Sequence, residues 1–300
     1  MRAARETILI PSGHSFRVLK WEKSVRAVEC ITGPGRAIQV RGEGDHWHFH
    51  TEMELTLWHT GTGTRFVGDH IGTFTSGDLV LLGAKLPHYW HTPGLSSGLS
   101  LQWHFPESHP FWAFPENLAL LDLFKRAGRG IRLSGQTAAT VSRHLRELPA
   151  ASGPVQLALF FHILSCIATA PPQDCALLSV RSFNLPLESR YQMAIAKAVR
   201  HLIAHFREQV RLDDLLRITA MSRATFARQF KQHSGRSFSA FLNHLRLQAA
   251  CHELHHGDRP VLEIALNSGF TQLSFFNRLF RRELKCSPSD YRRKKQGSSR

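Results

Sequence analysis

Up to about Leu101 the chain alternates apolar and polar positions. Stretches such as FRVLKWE and TLWHTGTGTRFVG have the two-residue period of half-buried strands. Gly-rich turns at 32–35, 61–63 and 76–78 interrupt them. Many short strands at this spacing predict a sandwich or barrel. From about Asn117 the period lengthens. LALLDLFKRAGRG, GQTAATVSRHLRELP and PVQLALFFHILSCIATA read as three helices divided by Gly and Pro. The third is apolar almost all round, which predicts burial on several sides, by a subunit interface or by an intramolecular core. PPQDCALLSVRSFNLPLES returns to loop chemistry and predicts a linker. Helical spacing then resumes at Tyr191, Ile195, Val199, Leu202, Ile203 and Phe206.

The last third of the chain contains an internal repeat. FARQFK at 226–231 returns as FNRLFR at 276–281. Ser237, Phe238, Ser239 and Phe241 return fifty residues later as Ser287, Pro288, Ser289 and Tyr291. Each copy pairs a short amphipathic helix (from Leu212, and from Val261) with a tight turn and a second helix. Ser222 and Thr271 are the predicted caps of the second helices. Phe226 with Phe230, and Phe276 with Phe280, stand at i and i+4 and define a buried face. Arg228, Lys231, Arg278, Arg281 and Arg282 fall off that face. A short helix, a turn and a second helix is the pattern that places its second helix in the major groove of DNA.

Charge strengthens this reading. The net charge is +15, and residues from Asn184 onward hold +12 of it. An excess confined to the repeat predicts a phosphate-facing surface, with the tail 292–295 (Arg-Arg-Lys-Lys) adding attraction. The five cysteines are odd in number and show no paired spacing, as in a reducing compartment. The N-terminus has no run suited to a signal peptide. The most apolar window, Val155 to Ala170, is shorter than the ~20 residues that span a bilayer. A cytoplasmic protein with no membrane contact is expected.

IALNSGFTQLSFFNRLFRRELKCSPSDYR, the weaker copy LDDLLRITAMSRATFARQFKQHSGRSF and the string LRLQAA between them resemble the DNA-binding domain of AraC/XylS-type transcription regulators. The resemblance covers residues 185 to 295. It implies seven helices whose two recognition helices enter successive major grooves, about 34 Å apart. It places base-reading positions on Ala224, Ala227 and Arg228, and on Leu273, Ser274, Asn277 and Arg278. Lys231, Arg281 and Arg282 would meet phosphates. Two positions depart from the family pattern: Leu216 replaces a small residue, and Lys285 replaces the glycine kept at Gly235.

GEGDHWHFHTEMELTLWHTG puts His46, His48, His50, Glu52 and Glu54 on one face of a predicted strand, and Trp47, Phe49, Met53 and Leu55 on the other. Imidazoles on one face can converge on a metal. The spacing resembles the first cupin motif, from Gly42 through His48, His50 and Glu54 to Gly61. The second motif is partly kept, in Gly77 and His88. This resemblance implies a small β-barrel with His48, His50, Glu54 and His88 in its mouth. They would serve either a metal-free effector pocket or a divalent-metal site. Trp47, Trp58, Tyr89, Trp90 and Trp103 are candidate aromatic walls.

The expected organisation is multidomain α+β. A cupin-like effector-sensing domain spans 1–115, a helical linker and dimerisation segment 116–184, and an all-α double helix-turn-helix domain 185–300. The expected function is an effector-responsive DNA-binding transcription regulator, an activator working as a homodimer. Its partners would be promoter DNA, a carbohydrate-related effector and RNA polymerase. The alternative is a metal-dependent cupin enzyme, a dioxygenase or isomerase, with an appended helical domain.

Overall fold

The computed structural model describes residues 6–42, 44, 46–183, 185 and 191–297, without the side chains of His256 and 294–297. Asn184, the linker residues 186–190 and the side chains of Lys294 and Lys295 lie outside the described residues. The chain divides into two compact units: residues 1–70 with 74–192, and residues 193–300 with 71–73.

In the first unit, strands β1 (Phe16–Trp21), β2 (Ala27–Gly33), β3 (Arg36–Arg41), β4 (Met53–Thr60), β7 (Leu79–Leu82), β9 (Ser97–Trp103), β10 (Ile131–Leu133) and β11 (Cys175–Leu177) form one sheet in the order β11-β10-β7-β4-β9-β1-β2-β3. A smaller sheet joins β6 (His70–Phe74), β5 (Gly63–Val67) and β8 (His88–His91). The two-residue period sorts the large sheet into two faces. Phe16, Val18, Met53, Leu55, Leu57, Leu79, Leu81, Leu99, Leu101 and Trp103 pack against helices α1 (Leu120–Ala127), α2 (Gly135–Glu147) and α3 (Gly153–Ala168). The intervening residues Leu19, Trp21, Trp58, Val80 and Leu82 share a second core with Val67, Phe74 and Trp90 of the smaller sheet.

The sequence reading differs from the structure in two places here. Segment 116–184, expected as a separate linker, belongs to the first unit. Its strand β10 pairs with β7, and its helices share the core of the large sheet. Helix α3 buries Phe160, Ile163, Leu164 and Ile167 but leaves Val155 and Leu157 exposed. The predicted strand around the histidines is also interrupted. The chain bends at Thr51–Glu52, and β4 starts at Met53. The bend resets the alternation, so Phe49 packs with Trp58 while Met53 and Leu55 pack on the helical side.

The described residues of the second unit form seven helices: α4 (Gln192–His205), α5 (Leu212–Thr219), α6 (Arg223–Ser234), α7 (Phe238–His256), α8 (Val261–Asn267), α9 (Leu273–Leu284) and α10 (Pro288–Gly297). Arg246, within the LRLQAA string of α7, donates to the carbonyls of Phe206 (2.7 Å) and Glu208 (2.8 Å), just beyond the C-terminus of α4. A cation there satisfies orphan carbonyls and complements the helix dipole.

Two stability predictions follow from these helices. Helix α6 ends on Gly235 at φ 78°, whereas α9 ends on Lys285 at φ 57°, a conformation that costs a side chain about 1–2 kcal/mol. Lys285→Gly is expected to stabilise the protein by about 1 kcal/mol in urea unfolding, and Gly235→Ala to destabilise it comparably. His233, buried in α6 with an unpartnered Nε2, is pushed by burial from 6.5 down to about 4. Between those values the unfolded chain takes up a proton that the folded chain refuses. Stability present above about pH 6.5 is therefore lost as the pH falls toward 4, by about 2 kcal/mol at pH 5. His233→Gln should flatten that part of the urea-midpoint profile.

Candidate DNA-reading surface and sheet pocket

Helix α6 starts because the Ser222 hydroxyl accepts from the Thr225 amide at 3.3 Å. Its azimuth is set by Phe226 and Phe230, both buried with ring centroids 5.2 Å apart, and Phe230 meets Phe241 edge-on at 5.5 Å. Helix α9 repeats this with Phe276 and Phe280 at 5.4 Å, and Phe280 meets Tyr291 at 5.6 Å.

Opposite these rings, Ala224, Ala227, Arg228 and Lys231 form an exposed stripe on α6. On α9, Ser274, Arg278, Arg281 and Arg282 are exposed, while Leu273 and Asn277 are half-buried. Leu273 also packs against the core of the second module. The Arg278 guanidinium lies 5.7 Å from the centre of the Phe275 ring. Arg282 is turned toward Glu283 at 2.8 Å. The α6 stripe has the i, i+3, i+4, i+7 spacing of one helix face, and the α9 stripe the i, i+4, i+7, i+8 spacing.

The predicted cap Thr271 is not the cap. Helix α9 begins one residue later, and Gln272 occupies the cap position without a side-chain capping bond. Sequence reasoning missed Gln272, and also Arg223, exposed at the first position of α6. The fifty-residue offset, applied to Ser222, points at Gln272.

The first unit holds a partly open cavity of about 60 Å³, several times the ~10–15 Å³ that one water needs. Its floor comes from the inner face of β1, β9 and β4, where pairing aligns three rows: Arg17–Gln102–Glu54, Leu19–Ser100–Thr56 and Trp21–Gly98–Trp58. Arg17 Nε donates to Gln102 Oε1 at 2.6 Å, and Gln102 Nε2 donates to Glu54 Oε2 at 2.5 Å. The Thr56 hydroxyl donates to Glu54 Oε1. Glu6 pairs with Arg17 at 3.2 Å. In the third row Trp21 and Trp58 meet edge-on at 5.2 Å across Gly98. A Cβ at Gly98 would lie 2.4 Å from the Trp21 ring and 2.3 Å from a β4 carbonyl. The indole nitrogens of Trp21, Trp58 and Trp90 have no hydrogen-bond partner among the described residues, although all three rings are buried and line the cavity.

Of the expected walls, Trp58 and Trp90 line the cavity, whereas Trp103 lies in the core facing the helices and Tyr89 stacks on Phe66 at 5.3 Å. Trp47 is buried but does not line the cavity. Sequence reasoning missed Glu6 and Trp21, and also Arg17, Thr56, Ser100 and Gln102, whose only signal was a polar residue inside an apolar alternation.

His48, His88 and Glu54 line this cavity despite the bend, His50 is buried beside them, and His48 and His88 form an isolated β-bridge. The Nδ1 atoms of the three imidazoles lie 2.7, 3.0 and 2.8 Å from the carbonyls of His46, Glu52 and Leu86. A carbonyl only accepts, so each Nδ1 carries a proton and a neutral ring presents its Nε2 lone pair. The Nε2 of His88 has no hydrogen-bond partner among the described residues. The Nε2 of His50 lies 3.1 Å from Glu54, and that of His48 lies 3.4 Å from Glu6.

Burial pushes His48 down and His88 well below the usual histidine value. Burial also opposes charge on His50, yet the hydrogen bond and charge of Glu54 outweigh it and raise His50. Burial alone would raise Glu54, but the bond to His50 and the charge of His88 hold it well below the usual carboxylate range. Ligand atoms of the three histidines fall within 4.8 Å of one another, a donor set that could hold a metal ion.

Comparison with known proteins bears on the second unit first. The helix-turn-helix domain family HTH_18 matches residues 215–294. The HTH-type transcriptional activator RhaS of Shigella sonnei is 27% identical over 258 residues, covering 83% of this chain and 88% of that protein. The RhaS activator of Salmonella paratyphi B is 43% identical over 88 residues, 29% of this chain and 32% of that protein. Among solved structures, ToxT of Vibrio cholerae aligns over 93% of this chain and 97% of that chain, at 12% identity and a TM-score of 0.35. No helix among the described residues is long and apolar enough to cross a membrane. With two modules in series and this domain match, residues 215–294 are a helix-turn-helix domain of the HTH_18 family, and the chain, similar over most of its length to the RhaS activators, is a DNA-binding transcription regulator.

Proposed function

We propose that α6 and α9 enter successive major grooves on one side of promoter DNA, and that the cavity of the first unit binds a small polar effector. The observation that carries the first half is the duplicated exposed stripe, which lies opposite the buried phenylalanines in both modules. Arg228 and Arg278 read base edges, since a guanidinium suits the two acceptors of guanine. Lys231, Arg281 and Arg282 supply salt-dependent phosphate attraction. The apolar residues Ala224 and Ala227 leave the first module to thymine methyl contacts and Arg228.

The cavity's chemistry favours a carbohydrate-related effector. Indole walls suit the apolar face of a sugar ring, while Glu54, Gln102, Arg17 and Thr56 suit its hydroxyls. The unpartnered indole N–H groups are donors waiting for a ligand acceptor. The protein acts in the cytoplasm by binding rather than turnover, as an activator with RNA polymerase as partner. Subunits pair through the α1–α3 region, where Phe114, Leu121 and Val155 are exposed apolar side chains. A second reading, favoured by the three Nε2 atoms, has a divalent cation held by His48, His50, His88 and Glu54, through which the effector is bound.

Arg228→Ala and Arg278→Ala should each weaken specific DNA binding by about 1–3 kcal/mol, with footprints on two adjacent turns in the wild type. Unchanged affinity in both variants would remove these arginines from the interface. For the cavity, a panel of sugars, sugar acids and polyols should include at least one that raises the Tm of the wild type, a shift that Thr56→Val reduces. Elemental analysis separates the two readings. About one equivalent of metal, lost in His50→Ala, selects the cation, and less than about a tenth of an equivalent selects the metal-free pocket.

A further inference from the structure

The two modules are copies at an offset of fifty residues, with one local exception. Ala220 and Met221 close the first turn through bonds to the carbonyls of Arg217 and Leu216. Gly269 and Phe270 make the equivalent bonds, to Leu266 and Ala265, at an offset of only forty-nine. The second turn therefore contains one more residue, Thr271, before the recognition helix begins. The amides of Phe226 and Phe276 accept this register, bonding to the carbonyls of Ser222 and Gln272 respectively. Ser222 and Gln272 are structurally the same position.

They use it differently. Ser222 caps its helix through its hydroxyl. Gln272 makes no side-chain capping bond, although its backbone (φ −135°, ψ 119°) has the extended cap conformation. Glutamine is not among the residues favoured at a helix cap. Thr271, which has a capping side chain, stands one position too early. The second module has thus given up its cap for an exposed amide at the leading tip of its recognition helix. The extended backbone takes that amide off the helical spiral, so the stripe of Ser274 and Arg278 does not fix its direction. In a helix-turn-helix the N-terminal residues of this helix contact base edges. A glutamine amide donates to and accepts from N7 and N6 of adenine in one plane.

We propose that Gln272 is a specificity-determining residue that reads an adenine in the half-site of the second module. This rests on the reading that α9 enters the major groove. The test is selection of bound duplexes from a randomised library by the full chain, comparing wild type with Gln272→Ala, Gln272→Glu, Gln272→Ser and Arg278→Ala. Gln272→Ala should erase an adenine preference at one base position, by about fivefold to a hundredfold, and leave the other positions unchanged. Gln272→Glu should move that preference toward cytosine, whose amino group a carboxylate accepts. Gln272→Ser should lose the preference while raising Tm by roughly 4 °C, because it restores a cap. A uniform loss across all positions in Gln272→Ala would mean a phosphate contact and overturn the proposal. An unchanged preference in Gln272→Ala, with a change in Arg278→Ala, would overturn it while leaving the groove reading intact. If neither variant changes any position, α9 does not read bases, and the groove reading fails with it.

Discussion

Two phenylalanines per recognition helix are the constraint on which the DNA-reading surface depends. Full burial of one such ring stabilises by about 1.5–3 kcal/mol. Turning α6 or α9 by one residue's rotation would expose one or both rings. Exposed ion pairs such as Arg223–Asp213 or Arg282–Glu283 contribute about 0–1 kcal/mol each. Hydrophobic burial therefore sets the azimuth, and the cations take whatever face remains. That face is the same in both modules because the rings occupy the same positions, not because the cations match. Copies that preserve the rings can diverge on the outer face, as Ala224 and Ser274, or Ala227 and Asn277, have done.

The first unit follows a different rule. A strand shows one face to the helices and the other to the cavity, so each alternate residue of β1, β4 and β9 is committed by the pleat alone. The helical side is apolar at its centre, with Lys20 and His59 at its edge. The cavity side mixes tryptophan with Arg17, Gln102, Glu54 and Thr56. Buried charge is tolerable there because the row is bonded end to end, from Glu6 through Arg17 and Gln102 to Glu54 and His50. Among the described residues, three indole N–H groups and one imidazole nitrogen of the same cavity have no protein partner. Native interiors rarely leave so many buried polar atoms unpaired at one place, which supports the proposal that the cavity binds a ligand.

Much of this was legible in the sequence because it is local. The repeat, the paired rings, the outward cations and the change of period near Asn117 are properties of neighbouring residues, and helix and strand periods convert them directly into faces. The histidines and Glu54 were legible as a group through their spacing, even though the strand imagined for them bends at Thr51–Glu52 and places Phe49 and Met53 in different cores. The three-residue strands β10 and β11 carry too little pattern to be seen, so the segment that contains them read as a linker rather than as part of the large sheet.

The sequence by itself determined which residues are buried in each recognition helix and which lie outside, since a period of 3.6 and the free energy of burying phenylalanine leave one solution. Tertiary structure alone decided what meets across the cavity. Arg17 and Gln102 are 85 residues apart, and Gln102 and Glu54 are 48 apart. Strand register, set by pairing along the whole sheet, aligned them in one row. It likewise decided that one added residue in the second turn would put Gln272, and not Thr271, at the head of α9. Where a helix starts depends on how its turn closes onto the preceding helix, a constraint carried by backbone geometry rather than by side-chain pattern.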